Sequence, residues 1–193
     1  MAFATIDVTK GITGTLPVAN GGTALTSGFI NGVSNPGKFL QIQHTNYNTA
    51  VSTSDQGYVT TGLTCAITPS ATDSKIFGMF KLQARGNGLT SSYEWGYACK
   101  VERTGGATGT IFEEKGGTGQ AYSTYFYANA NTTQIAQHSP FQFLDTTHST
   151  TSAITYTVFA KVQSGNQAVD FQNNTFPSQF TLWEIAAWVI NFL

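Results

Sequence analysis

The amino-acid sequence predicts an all-β protein, a jelly-roll-like antiparallel β-sandwich preceded by an extended N-terminal arm. Apolar and polar residues alternate with a period near two through most of the chain after residue 37. Stretches rich in Gly, Ser and Asn, which favour turns, separate these runs. No segment carries the apolar stripe of an amphipathic helix. Many short strands in a domain of roughly 150 residues are typical of a two-sheet jelly roll.

The strand predictions follow the chain in order. GKFLQIQHT opens the series, and QGYVTTGLTCAIT places Leu63, Cys65 and Ile67 on one face. KIFGMFKLQA is apolar on both faces at first, and YEWGYACKVE puts Tyr97 and Val101 opposite its charged residues. Alternation of this kind is typical of antiparallel strands with one face in the core. The series continues with GTIFEEK, YSTYFYA, PFQFLD, AITYTVFAKVQ, AVDFQ and QFTLWEIAAWVINFL, and the predicted turns are SATDS, RGNGL, RTGGATG and KGGTGQ.

Residues 1–37 differ from this pattern and are predicted to be an extended attachment arm, with the head domain at residues 38–193. The arm is rich in glycine, Asp7 and Lys10 are its charged residues, and its apolar residues are too scattered to form a core. A flexible linker would not need so many branched and aromatic side chains, so we expect the arm to dock on a neighbouring copy or another protein. The residues expected to make this contact are Leu16, Pro17, Val18, Asn20, Gly21, Gly22, Leu25, Phe29 and Ile30.

The composition predicts an oligomer that does not bind nucleic acid. Charged residues make up 10% of the chain, aromatic residues 13%, and the formal net charge is −1. Without a basic cluster, nucleic acid is not an expected partner. A sparsely charged surface is best explained if part of it is buried between copies, although Ser, Thr, Asn and Gln could instead solvate an ordinary β-domain. The apolar end of the chain is the predicted subunit contact, formed by Trp188, Val189, Ile190, Phe192 and Leu193.

The chain has no stretch of about 18 apolar residues that could span a membrane, and its first residues do not form a signal peptide. Cys65 and Cys99 lie in alternating apolar runs. We predict that both are buried thiols of a protein assembled in a reducing cytoplasm, with a disulfide between facing strands as the alternative.

No residue pattern points to an enzyme, a metal site or a cofactor. His44, His138 and His148 are not spaced as metal ligands, and no nucleophile elbow is present, so structural or solvated histidines are expected. If the chain were a glycosidase, Asp145 and Glu184 would be the candidate pair of catalytic carboxylates. We predict instead that Asp145 caps a turn and that Glu184 faces solvent or pairs with a cation near a subunit contact.

One segment has the composition of a receptor-binding surface. Residues 122–133, YSTYFYANANTT, combine aromatic rings with small amides, which suits stacking on sugars or contacts with a protein. Core packing and subunit contact are the alternative roles of these rings. The candidate receptor residues are Tyr122, Tyr125, Phe126 and Tyr127.

Several segments resemble tail-fibre and related appendage proteins of tailed bacteriophages. TGTLPVANGGTALTSGF, residues 13–29, resembles the "TLPVANGGT" segments of these proteins. GKFLQIQHT, GYVTTGLTCAITPSATDSKIFGM, FQFLDTTHSTTSAITYTVFAKV and FTLWEIAA resemble, in the same order, segments of their β-sandwich heads. The chain departs from the family pattern at Ala24, at Trp183 and in AWVINFL, and residues 85–135 match no segment of it.

The resemblance implies a homotrimeric virion component that is attached by its N-terminal arm and exposes a compact β-head. It would be assembled in the host cytoplasm, would contact other virion proteins, and would be placed to adhere to a glycan or protein of the host surface. Because an arm of this length spans at most about 130 Å when extended, a small knob or spike is expected rather than a long shaft. A capsid decoration protein without a receptor role and a polysaccharide-depolymerising spike enzyme are the alternatives.

Overall fold

The alternating runs form β-strands in the computed structural model, which describes residues 38–87, 93–114, 124–128, 134–162, 168–173 and 176–187. These residues contain eleven strands and no helix. The strands are β1 (Phe39–Tyr47), β2 (Val51–Thr53), β3 (Val59–Ile67), β4 (Lys75–Asn87), β5 (Tyr93–Gly105), β6 (Gly109–Glu113), β7 (Thr124–Ala128), β8 (Gln134–Asp145), β9 (Ile154–Val162), β10 (Ala168–Phe171) and β11 (Ser178–Ile185).

The strands form two antiparallel sheets that pack face to face. In the first sheet the long strands lie in the order β8, β4, β11, β1, and β10 and β2 extend the sheet beside the second half of β4. In the second sheet the order is β3, β9, β5, and β6 and β7 pair with different halves of β5. This order is that of a jelly roll, with two interleaved Greek keys. The predicted jelly-roll-like β-sandwich is therefore confirmed for the head, and the predicted arm lies outside the described residues.

The core lies between the sheets and follows the predicted alternation. In β9 every second residue, from Ile154 to Val162, is at most 1% exposed. Across the space between the sheets, the Phe143 ring of β8 lies 5.5 Å from the Tyr156 ring of β9, and the Phe80 ring of β4 lies 6.2 Å from the Phe112 ring of β6, measured between centroids. Full burial of an apolar side chain of this size stabilises a fold by about 1.5–3 kcal/mol, so these rings hold the two sheets together.

Two glycines are required by close packing in the strands. A Cβ atom on Gly78 of β4 would overlap the Phe143 ring of the neighbouring strand β8. Gly62 has a φ of 78° and lies where the register of β3 with β9 shifts, so it forms a bulge. The Tyr47 ring lies directly over Gly62. Both positions exclude a side chain because an aromatic ring occupies the space.

Several strand bounds differ from the sequence prediction. β8 begins at Gln134 rather than at Pro140, and β4 continues to Asn87 through part of the stretch that was predicted as a turn. The two strands pair without interruption from Ile76 opposite Asp145 to Asn87 opposite Gln134. Pairing over this length outweighs the turn preference of Gly and Asn, and Pro140 is tolerated because β8 is an edge strand. The short strand β2 was not predicted, because its three residues are too few to show a period.

Candidate functional site

Asp145 lies at the end of β8 and forms the centre of a buried polar network. Its carboxylate accepts hydrogen bonds from Arg103 Nη1 at 2.5 and 2.6 Å and from the Tyr156 hydroxyl at 2.8 Å. It also accepts the Thr147 backbone N–H at 2.9 Å, which confirms the predicted turn cap. Arg103 and Tyr156 are opposite each other in the second sheet, so the network joins the two sheets at one end of the sandwich.

Glu184 is buried, and the prediction that it faces solvent or pairs with a cation is wrong. The residue is 0% exposed. Its carboxylate accepts hydrogen bonds from the Gln41 side chain at 2.6 Å, from the Ser70 backbone N–H at 2.7 Å and from the Ser70 hydroxyl at 2.8 Å. Three hydrogen bonds of this kind satisfy a buried carboxylate without a cation. Glu184 thereby fixes the turn that follows β3 to the edge strand β1.

The two carboxylates occupy equivalent positions on either side of β4. Asp145 and Glu184 are both opposite Ile76, one in β8 and the other in β11, so their side chains leave the same face of the sheet about two strand spacings, or about 10 Å, apart. Burial by itself would raise the pKa of each carboxyl. In Asp145 the Thr147 amide and Arg103 outweigh burial and lower the pKa, and in Glu184 the hydrogen bonds, first of all from Gln41, do the same. Both groups are therefore held as carboxylates.

The histidines have structural or solvated positions. The ring of His148 is buried, with Nε2 2.8 Å from the Ser74 carbonyl oxygen and Nδ1 3.1 Å from the Thr150 carbonyl oxygen. His44 and His138 are exposed, and the His138 ring packs edge-on against Phe176. In the part of the chain that the structure describes, no group of three His, Cys, Asp or Glu side chains is placed to hold a metal ion.

Cys65 and Cys99 are buried and carry thiols rather than a disulfide, which confirms that part of the sequence prediction. Burial raises the pKa of the Cys65 thiol. Both side chains belong to the core of the sandwich. They therefore act as small apolar core residues.

The other predicted site residues are only partly described. The arm residues, the C-terminal residues 188–193 and Tyr122 lie outside the described residues. Tyr125, Phe126 and Tyr127 belong to β7, where their backbones are opposite Gly96, Trp95 and Glu94 of β5. The candidate receptor residues are thus on an edge strand of the second sheet. Within the described ranges, no helix has the length and apolarity needed to cross a membrane.

The two outer faces of the sandwich differ in chemistry. On the second sheet the face carries charges, and the ammonium groups of Lys100 and Lys161 lie 4.7 and 4.6 Å from the centre of the Tyr58 ring. Lys100 also pairs with Glu102. On the first sheet an apolar face, as we call it, is formed by outward side chains of β1, β4, β8 and β11, namely Phe39, Ile42, Phe77, Met79, Leu144, Trp183 and Ile185.

A groove of about 800 Å³ lies where β6 of the second sheet approaches the edge strand β8 of the first. Phe112 and Phe141 contribute half-buried rings, and Glu114 and Gln142 contribute polar groups. Burial raises the pKa of the Glu114 carboxyl. Apolar walls with a few polar groups are typical of sites for small ligands. The sequence did not indicate this groove, because its residues come from β4, β6 and β8, which are distant from one another in sequence.

Comparison with known proteins found likeness in structure only. No protein-family model and no curated protein matches the sequence. Two VP2 structures of infectious bursal disease virus match 76% of this chain at 13% and 14% identity, with TM-scores of 0.35 and 0.36. This chain spans 36% and 37% of the length of those VP2 chains. The CBM22-1 xylan-binding domain of Xyn10C from Paenibacillus barcinonensis matches 81% of this chain, and all of that domain, at 11% identity and a TM-score of 0.29. The strand order of the two sheets is what defines this fold as a jelly roll.

Proposed function

We propose that this chain is a structural component of a virion, a short trimeric fibre, spike or knob that attaches by its N-terminal arm and exposes the jelly-roll head. One observation carries the proposal. The segments that resemble phage appendage heads are far apart in sequence, yet they form adjacent strands. They supply β3, β9, most of β1 and β11, the start of β4 as far as Met79 and the end of β8 from Phe141, and so contribute to each of the four long strands of the first sheet.

Hydrogen bonds between these segments support the same conclusion. Glu184 of FTLWEIAA binds Gln41 of GKFLQIQHT and Ser70 in the Thr-Pro-Ser turn of the second segment. His148 of the third segment contacts Ser74 of the second. These polar residues of the resembling segments therefore stabilise one end of the sandwich. Several separate segments that resemble one family and also contact one another in the fold support the family resemblance more strongly than any single segment does.

The buried carboxylates favour a structural role over a depolymerising enzyme. A glycosidase needs one carboxylic acid with a raised pKa and a second carboxylate that a sugar can reach. Asp145 and Glu184 are 1% and 0% exposed, and the pKa of each is lowered. Since both groups are occupied by hydrogen bonds, this pair is unsuited to the reaction, and we propose that the chain is not an enzyme.

Adhesion to a host-surface glycan or protein is the second part of the proposal. Its candidate surface is β7, an edge strand of the second sheet that carries Tyr125, Phe126 and Tyr127. Residues 85–135, which include β7, do not resemble appendage heads. Recognition surfaces concentrate in edge strands and loops supported by a rigid scaffold, so this region is the better candidate for receptor contact.

Deletion of residues 1–30 tests the proposed attachment. The truncated chain and the full-length chain are expressed separately during infection by the virus that encodes them, and incorporation into purified virions is measured by mass spectrometry. The truncated chain should fold but stay out of the particle. Normal incorporation would contradict attachment through the arm. Cryo-EM of virions that carry the full-length chain distinguishes a tail position from a capsid decoration.

A further inference from the structure

Strand register assembles an apolar row across the outer face of the first sheet. Ile42 of β1, Trp183 of β11, Phe77 of β4 and Leu144 of β8 are successive cross-strand neighbours. The Trp183 and Phe77 rings are 5.6 Å apart between centroids. Met79 lies two residues further along β4 on the same face. Four strands thus present one continuous apolar surface.

The apolar face, to which this row belongs, is open to solvent in the single chain. Phe39 is 66% exposed, Ile42 58%, Leu144 54% and Met79 43%. With about 200 Å² for a fully exposed large apolar side chain, these four residues present about 400 Å² of apolar surface. A contiguous patch of this size marks a functional surface on many soluble proteins. A specific interface buries about 800 Å² per partner, with an apolar centre and a polar rim, so this patch has the size of such a centre.

The opposite outer face shows that the fold itself does not require this exposure. On the second sheet the equivalent outward positions hold Lys100, Glu102 and Lys161, and the ammonium groups of the two lysines lie over the Tyr58 ring. Both sheets have one face in the same core. The chain therefore places charges at the centre of one outer face and an apolar row, with charges at its margins, on the other, as expected if the apolar row is covered.

We propose that the apolar face is the surface through which copies of this chain contact one another. The charges favour a second copy over a strongly charged partner, because Lys75 and Lys81 lie at the margins of the apolar face and Arg85, further along β4, is already paired with Asp170. The head residues that connect to the arm also lie at this sheet, where the Ala186 N–H donates to the Lys38 carbonyl oxygen at 2.9 Å.

The inference rests on the trimer in the proposed function and adds the surface that holds it. In a cyclic trimer the contacts are heterologous, so the apolar face of each copy covers a different surface of the next copy. A lysine introduced on the face is then buried once in every contact. An unpaired buried ammonium group is costly, so a small number of such substitutions separates the copies.

The test compares the full-length chain with the double variant Ile42→Lys/Leu144→Lys. Both positions are more than half exposed in the single chain, so the fold should tolerate lysine there. The matched control is Thr104→Lys/Thr110→Lys, which adds the same charge at exposed positions of the second sheet. Sedimentation equilibrium measures the association constant, and circular dichroism with thermal unfolding checks the fold. Should the lysine variant unfold, Ile42→Thr/Leu144→Thr replaces it.

We expect a trimer for the wild-type chain and the control, and at least a hundredfold weaker association for the folded Ile42/Leu144 variant. If the folded variant associates as tightly as the control, the apolar face is not the contact, although the trimer stands. If the wild-type chain is a monomer at micromolar concentration, both the trimer and this inference fail. Loss of association by the control as well would also overturn the inference, because added charge anywhere would then be sufficient.

Discussion

Replacement of Arg103 by Met should destabilise the head by about 3–5 kcal/mol, the usual cost of removing one partner of a buried ion pair. Asp145 is 1% exposed and Arg103 8% exposed. After the substitution Asp145 keeps the bonds from Thr147 and from the Tyr156 hydroxyl but loses its cation. The methionine retains most of the apolar stem of the arginine, so the loss reports on the charge more than on packing.

Thermal or urea unfolding, followed by circular dichroism at pH 7 and a fixed protein concentration, measures this effect. In a domain of this size 1 kcal/mol corresponds to about 2–4 °C, so the melting temperature should fall by about 6–20 °C. The double variant Arg103→Met/Asp145→Leu removes both charges and should recover part of the loss. Lys100→Met is the control, since it breaks the more exposed pair with Glu102 and should cost at most about 1 kcal/mol. A loss below 1 kcal/mol for Arg103→Met would refute the reasoning.

The pH dependence gives this prediction a second measurement. The folded state lowers the pKa of Asp145, so the stability that its charge contributes is present above the pKa of the unfolded chain, near 3.9. That stability is lost as the pH falls through the lower pKa of the folded state. The difference between the wild-type chain and Arg103→Met should therefore shrink below about pH 4. A constant difference from pH 7 to pH 2 would mean that the charge of Asp145 is not its cause.

Three further predictions concern single positions, and urea unfolding measures each. Gly62→Ala should cost about 1–2 kcal/mol, because the positive φ disfavours a side chain and Tyr47 fills the space, and an unchanged midpoint would contradict this. Gly78→Ala should cost about 1–3 kcal/mol by displacing Phe143, and it should cost less in a Phe143→Leu background if that ring is the reason. Glu184→Gln should flatten the acid limb of the stability curve near pH 4, because the carboxyl has a lowered pKa in the folded state; an unaltered limb would exclude this role.

The strands with strict alternation could be predicted from the sequence. In β9 and in the second half of β3 every predicted core residue is buried, because a period of two assigns each side chain to one face without reference to the partner strand. The predicted turn cap at Asp145 was also correct, since an Asp at a strand end followed by threonines binds the backbone two residues on. These features depend only on local sequence.

Features that depend on neighbouring strands could not be predicted in this way. Glu184 follows Trp183 in a strand whose alternation places the carboxylate inward, but an unpaired carboxylate in a core is costly, so the sequence favoured a solvent position. The partners that make burial acceptable, Gln41 and Ser70, are more than a hundred residues away in the chain. The alternation of β11, which places Glu184 inward, was the signal in the sequence for its burial. The polar residues of the Thr-Pro-Ser turn were the candidate hydrogen-bond partners.

The apolar face illustrates the same limit on a larger scale. Ile42, Phe77, Leu144 and Trp183 are each an ordinary apolar residue at an outward position of a separate strand, and single exposed apolar residues need no explanation. They become one surface only because β1, β11, β4 and β8 are neighbours and their registers align these residues. A one-residue slip of β4, β8 or β11 would turn the outward residue towards the core and expose core residues such as Ile76, Phe143 or Leu182. The register that builds the core therefore also builds the outer face, and residues on that face can change without altering the interior.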